Sequence, residues 1–199
     1  MSPARMMIAA LLAVAPVVPA IAQQQSEGYK FLTAVRESKN NDVIDMLGRP
    51  GSSIVNARDI TTGEGALHIV IKRGDETYLR FLLQKGADPN LRDGKGNTPL
   101  LLAVQLGQTG MIPILTTAKA NPNLGNSAGE TPLIRAVQRR DVGMIRELLN
   151  DGADPDQADI IAGMSARDYA KQDNRNAVVT RLLEDAPKTK KTVVSGPKF

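Results

Sequence analysis

The sequence predicts an all-α repeat solenoid of about five helix–turn–helix units, joined by projecting hairpin loops and divergent at both ends. Three observations predict it. A unit that opens at Gly129, runs through Asp141 to Leu149 and closes at Gly152–Asp156 recurs, at one constant spacing, as Gly96 to Asn123 and as Gly63 to Asn90. A fourth copy opens at Gly163, slightly later than that spacing requires, so its loop holds an insertion. Within each unit, apolar residues keep helical spacing and glycine or an Asp/Asn-Pro turn punctuates the ends. Units of this size cannot bury an apolar face alone, so the copies must stack.

In the fullest unit, Thr131 precedes Pro132, so the hydroxyl caps a helix whose first position misses no donor. Leu133 and Ala136 then share one buried face. Asp141 caps a second helix with Met144, Ile145, Leu148 and Leu149 as its apolar stripe. Gly152 stands where helices end in the left-handed conformation, and Asp-Pro-Asp begins an extended turn.

The whole pattern, Gly-x-Thr-Pro-Leu-x-x-Ala followed by Leu-Leu-x-x-Gly-Ala-Asp-Pro-Asx, resembles the ankyrin repeat family across residues 63–156, and more loosely across 28–186. The resemblance implies helix–turn–helix repeats with β-hairpin loops, and an interaction scaffold that binds other proteins on its concave surface. It also implies a structural role for His68, which stands at the family's histidine position and ties loop backbones together by hydrogen bonds.

From the N-terminus, residues 1–22 read as a cleavable export leader. Arg5 leads into the apolar run Ile8–Val18, and Ala20-Ile-Ala22 suits cleavage before Gln23. The run is too short for a membrane span and Pro16 interrupts it. The leader's short, alanine-rich form points to a periplasmic or secreted destination, with no membrane span after cleavage. Gln23 to Gly28 reads as a polar, mobile approach. Residues 23–186 form the repeat domain. Its first, divergent copy has Phe31, Leu32 and Val35 on one helix and Val43, Met46 and Leu47 on the next.

The second copy has Asp75 as cap and Tyr78, Leu79, Leu82 and Leu83 as stripe, but Gly65-Ala66 replaces Thr-Pro and leaves its first helix less firmly started. In the third copy, Gly110 and Pro113 fall within the second helix and Lys119 replaces the terminating glycine. These changes predict a shortened or kinked helix between Met111 and Ala118. The last copy puts Arg167 and Asp168 where others have Leu and a variable residue, as a solvent-facing polar cap, with Val178, Val179, Leu182 and Leu183 closing it. Residues 187–199, with Lys188, Lys190, Lys191 and Lys198 and no acid, read as a disordered tail.

The formal charge of +4 belongs to the ends, because residues 23–186 hold 20 basic and 21 acidic side chains. A near-neutral body argues against nucleic-acid binding. Cysteine is absent, which excludes disulfides and a cysteine nucleophile. The aspartates at 88, 93, 154, 156 and 159 recur for turn reasons and lack calcium-loop spacing. The glycines follow the repeat and form no phosphate cradle. The expectation is a chain with no enzyme activity, no cofactor and no metal, monomeric and bound to a protein partner.

The positions that stacking leaves free are the hairpin tips and the exposed ends of the first helices. The candidate partner-binding residues there are Lys72, Arg73, Lys95, Asn97, Gln105, Leu106, Glu130, Arg135, Gln138 and Arg139. Lys72, Arg73, Arg139 and Arg140, with Arg135 nearby, make a positive edge around Leu106, the one large apolar residue among them. An alternative function is a chaperone-like or assembly accessory of the cell envelope with broad, weak clients.

Overall fold

The computed structural model describes residues 20–173 and 176–187. Residues 1–19 of the expected leader and the expected tail from 188 lie outside the described residues. Among the described residues, ten α-helices form five antiparallel pairs: α1 (Ala20–Arg36) with α2 (Asn40–Leu47), α3 (Ala66–Arg73) with α4 (Glu76–Gln84), α5 (Pro99–Leu106) with α6 (Met111–Thr117), α7 (Pro132–Gln138) with α8 (Val142–Asn150), and α9 (Ala166–Gln172) with α10 (Ala177–Asp185). The first helices stack as an inner layer, α1 to α9, and α4, α6, α8 and α10 stack as an outer layer. Helix α1 starts earlier than the sequence reading placed it, because the polar residues 23–28 continue it upstream.

The inner helices begin as their sequences dictate. Thr98 Oγ1 accepts from Leu101 N–H and Thr131 Oγ1 from Ile134 N–H, with Pro99 and Pro132 at the first helical position. Ser165 caps α9 in the same way, and Asp75 and Asp141 cap α4 and α8. Gly65 has no side chain to give α3; instead its N–H donates to His68 Nδ1 at 3.2 Å. A Cβ on Gly65 would stand 2.3 Å from Leu91 Cδ2, so packing against the next turn accounts for the missing threonine.

One continuous core runs between the layers. Phe31, Leu32, Ile71, Leu79, Leu100, Met111, Leu115, Leu133 and Ile134 are among its fully buried side chains. Large aliphatics on thin helices with few aromatics suffice because each interface is short and repeated.

The irregular third unit is shortened and not kinked. Helix α6 has 7 residues against 9 in α4 and α8. Its first residue is Met111, so Pro113 lies in the opening turn, where the missing N–H has no intrahelical partner to lose. At its end Lys119 adopts φ 71°, where Gly86 and Gly152 have φ 86° and 85°. A non-glycine side chain in the left-handed region is strained. Lys119→Gly is therefore expected to raise unfolding free energy by about 0.5–1 kcal/mol, the strain relieved less the entropy glycine loses on folding. Thermal unfolding followed by circular dichroism checks the sign.

The turns between units bridge as well as bend. Asn90 Nδ2 donates to Lys119 O at 3.1 Å while its Oδ1 accepts from Asn121 N–H at 2.7 Å. Asn56 makes the same pair of bonds to Gly86 O and Asp88 N–H, and Asn123 makes them to Gly152 O and Asp154 N–H. The recurrence of Asn at 56, 90 and 123 was the available signal for this ladder.

In the last unit the expectation of a solvent-facing polar cap fails at Arg167. Its residue exposure is only 8%, and its Nε donates to Asp156 Oδ1 at 2.7 Å. Asp156 occupies the place that asparagine holds in the other turns, so an ion pair replaces the amide bridge.

Candidate partner-binding surface

The hairpin loops project from the top of the inner helices and stand side by side. Each begins with an Asx residue whose carboxylate or amide oxygen collects backbone N–H groups of its own turn: Asp59 from Thr61 and Thr62, Asp93 from Lys95 and Asn97, Asn126 from Ala128 and Glu130. The Asp59 carboxyl is held down at about 2, chiefly by the Thr62 amide, then by the Arg36 guanidinium and the Thr61 amide. Burial alone would raise Asp93, but the side-chain and backbone amides of Asn97 outweigh it and keep the carboxyl low.

His68 lies beneath this row with 0% exposure. With Nδ1 accepting from Gly65 N–H, Nε2 carries the proton and donates to Asn97 O at 3.0 Å. Burial, above all, pushes its pKa below the ordinary histidine value. Nδ1 fixes the start of its own helix and Nε2 joins that unit to the next, which leaves neither nitrogen for a ligand or for proton transfer. Among the described residues no three His, Asp or Glu side chains cluster in a way that holds a metal ion.

Of the ten predicted surface residues, five belong to one polar network on the concave side. Asn97 is 6% exposed, a correction to its place among the free positions. Its Oδ1 accepts from Gln105 Nε2 and from Asn126 Nδ2, both at 3.2 Å, and its Nδ2 donates to Asp93 Oδ2 at 2.9 Å. Asn126 continues to Glu130 Oε2 at 3.2 Å, Glu130 pairs with Arg135 at 3.2 Å, and Arg135 reaches Gln138 at 3.4 Å. The burial of Asn97 depends on the hairpin of the following unit, so no local pattern announces it.

The positive edge is largely neutralised. Lys72 pairs with Glu64, Arg73 with Asp75, Arg135 with Glu130 and Arg140 with Asp173. Arg73 is also a clamp, donating to Val35 O at 2.8 Å and lying over the Tyr78 ring. Arg139 repeats that clamp two units on: its Nη1 donates to Gln105 O at 3.1 Å, at the carbonyl end of α5 where a cation is favoured. Gly107 leaves room for it, since a Cβ there would meet Arg139 Nη2 at 2.7 Å. Arg139 has no carboxylate partner among the described residues.

The same rim position is thus Arg73, Leu106, Arg139 and Asp173 in successive units. A leucine cannot cap the preceding helix, and Leu106 is 47% exposed with Arg139 beside it. Lys95 is exposed at its hairpin tip, and Gln138 is exposed on α7. Of the predicted surface, the side chains of Leu106 and Lys95 are not consumed by the scaffold, while Gln138 and Arg139 lie on the same rim and each also holds a scaffold contact. A cleft of about 880 Å³ lies elsewhere, at the N-terminal end between α1 and the 51–60 loop. No described helix is long and apolar enough to cross a membrane.

Ankyrin repeat family models match the chain twice, as three copies over residues 31–126 and as a single repeat over 128–160. An ankyrin repeat protein of Acanthamoeba polyphaga mimivirus is 40% identical over 76 residues, covering 37% of this chain and 10% of that protein. Human oxysterol-binding protein-related protein 1 is 36% identical over 81 residues, 41% of this chain and 8% of that one. An ankyrin repeat protein of Pyrobaculum aerophilum is 40% identical over 74 residues, 36% of this chain and 25% of its own. The matches span a quarter or less of these relatives.

Proposed function

Because the chain belongs to the ankyrin repeat family, we propose that it is an exported, non-catalytic scaffold holding a protein partner in its concave groove. Leu106 carries this reading. It is a half-exposed leucine at a rim position where two other units place a helix-capping arginine, and a guanidinium with no acidic partner among the described residues stands next to it. An apolar anchor beside an unneutralised cation suits a partner segment with a large apolar side chain close to a carboxylate. Lys95 and Gln138 border the same groove and supply polar contacts at its margin. Export rests on the leader: Arg5, the apolar run Ile8–Val18 and the small residues Ala20 and Ala22. The mass of the protein recovered from its native cells tests that part, with an N-terminus at Gln23 expected.

The partner is tested by photo-crosslinking from position 106 in native cells, with Arg146 on outer helix α8 as control. One dominant adduct from position 106, absent from the control, is the expected result. A smear from both positions, or nothing above background, overturns the dedicated-partner reading in favour of an accessory with broad, weak clients. With the partner in hand, Leu106→Ala is expected to weaken the complex about tenfold or more, as an anchor residue does, with little change in thermal stability.

A further inference from the structure

The hairpin tips form a row with a direction. The amide after the Asx residue donates to the carbonyl before the left-handed glycine of the previous tip: Gly94 to Thr62 at 2.8 Å, Ser127 to Lys95 at 3.1 Å, Ile160 to Ala128 at 2.9 Å. The row therefore has two unlike ends. At the first tip the matching donor, Ile60 N–H, has no acceptor among the described residues, and at the fourth the matching acceptor, Ala162 O, has no donor there. A Cβ on Gly63, Gly96 or Gly129 would meet the next tip's backbone nitrogen at 2.5, 2.7 and 2.7 Å, whereas nothing lies within 4 Å of one on Gly163.

Both ends are apolar. The four most exposed large apolar side chains among the described residues are Ile60 at 85%, Ile161 at 82%, Ile160 at 76% and Tyr29 at 65%. Ile160 and Ile161 form the fourth tip, where the interior tips have Gly94-Lys95 and Ser127-Ala128. Ile60 and Tyr29 line the cleft of about 880 Å³ at the N-terminal end, together with Leu32, Ile54 and Ala57. Among the described residues no hairpin precedes α1, so the first unit brings no tip of its own to stand beside Ile60.

The ends are opposite in charge. At the cleft Glu27 pairs with Arg49 and Asp59 with Arg36, while Lys30 and Arg58 enter no ion pair among the described residues. Residues 151–165 carry Asp151, Asp154, Asp156 and Asp159 and no base, and Arg167 neutralises only Asp156. Two such tips repel each other, whereas tip and cleft attract.

We propose that copies of this chain join head to tail, the fourth tip of one seated in the N-terminal cleft of the next. Ile160 and Ile161 then pack against Tyr29 and Ile60, with the tip's aspartates toward Lys30 and Arg58. The contact is heterologous, so every pair keeps one free tip and one free cleft for further copies. It brings the acceptor end of one hairpin row toward the donor end of the next, and it leaves the rim at Leu106 open.

Sedimentation of the full leaderless chain over a wide range of concentration tests this, beside the surface variants Ile161→Asp and Ile60→Asp. The average mass is expected to rise with concentration, and to rise less in about 0.5 M salt, where ionic attraction is screened. Each variant alone is expected to associate about tenfold more weakly or worse, with thermal unfolding unchanged. An equimolar mixture of the two is expected to form a dimer and stop there, because one supplies an intact cleft and the other an intact tip. A monomeric mass at every concentration, as the sequence reading expects, overturns the proposal. So does a mixture that stays monomeric. Association abolished by Ile161→Asp but untouched by Ile60→Asp also overturns it, and assigns the tip to a symmetric pair.

Discussion

Replacing His68 by alanine lowers the unfolding free energy by about 3–5 kcal/mol, the largest effect expected of a single polar substitution here. The imidazole is fully buried, so truncation opens a cavity. It also strands the buried Gly65 N–H and takes from Asn97 O one of its two donors, the other being Asp93 N–H. The bond to Asn97 O crosses from the second unit to the third, and array stability is a sum of such interface contributions. Hydrogen exchange is therefore expected to accelerate in α1 to α4 more than in α7 to α10. Uniform acceleration would falsify the interface assignment.

The same residue gives the protein an acid sensitivity with a definite window. Burial lowers the folded-state pKa of His68, so the folded form binds fewer protons than the unfolded chain. Its contribution is complete above about 6.5, the unfolded value, and declines as pH falls below it. The carboxylates act later. Asp59, held at about 2 in the folded state, begins to cost stability only as pH falls below its ordinary value near 4. Between about pH 6.5 and 5 the histidine's slope thus stands apart from the aspartates', and His68→Gln, which keeps a donor and an acceptor but does not titrate, is expected to lose it. Urea midpoints at a series of pH values for the two proteins provide the measurement.

The parts of this molecule that were legible from the sequence are those in which cause and effect lie within one unit. Thr98, Thr131, Asp75 and Asp141 sit one turn from the amides they cap. The placement of Asn97 was not legible, because its burial requires the Asn126 side chain of the following hairpin. Gly65 looked like a defect in a helix start, yet Leu91 from the next turn occupies the space a threonine would need. Pro113 looked like a helix breaker, yet the helix starts only at Met111, within the shortened span the sequence predicted, so the proline falls in the opening turn. The positive rim dissolved for a related reason: Glu64 and Glu130 reach their bases from the hairpin, and Asp173 reaches Arg140 from the next unit. What survived, Leu106 beside Arg139, is visible only as a departure of one unit from its neighbours.

Arg167→Ala is expected to cost about 2–3 kcal/mol, below the range for wholly buried pairs because Asp156 keeps 28% of its side-chain exposure. The guanidinium does three things at once. It neutralises Asp156, supplies donors to Ala186 O and Pro187 O, and fixes the end of α10 against the start of α9. Arg167→Lys is expected to recover less than half of the loss, since one ammonium cannot face Asp156 and the two carbonyls in the planar geometry that Nε and Nη2 use. The interior units solve the same junction differently, with asparagine in the turn and leucine on the helix, as at Asn123 and Leu133. The double variant Asp156→Asn with Arg167→Leu is therefore expected to regain most of the stability, because replacing a buried pair by the matched neutral arrangement removes two desolvation costs together. A double-mutant cycle in urea decides it: strong positive coupling between the two sites supports the junction as described, and additive losses show that Arg167 acts through packing alone.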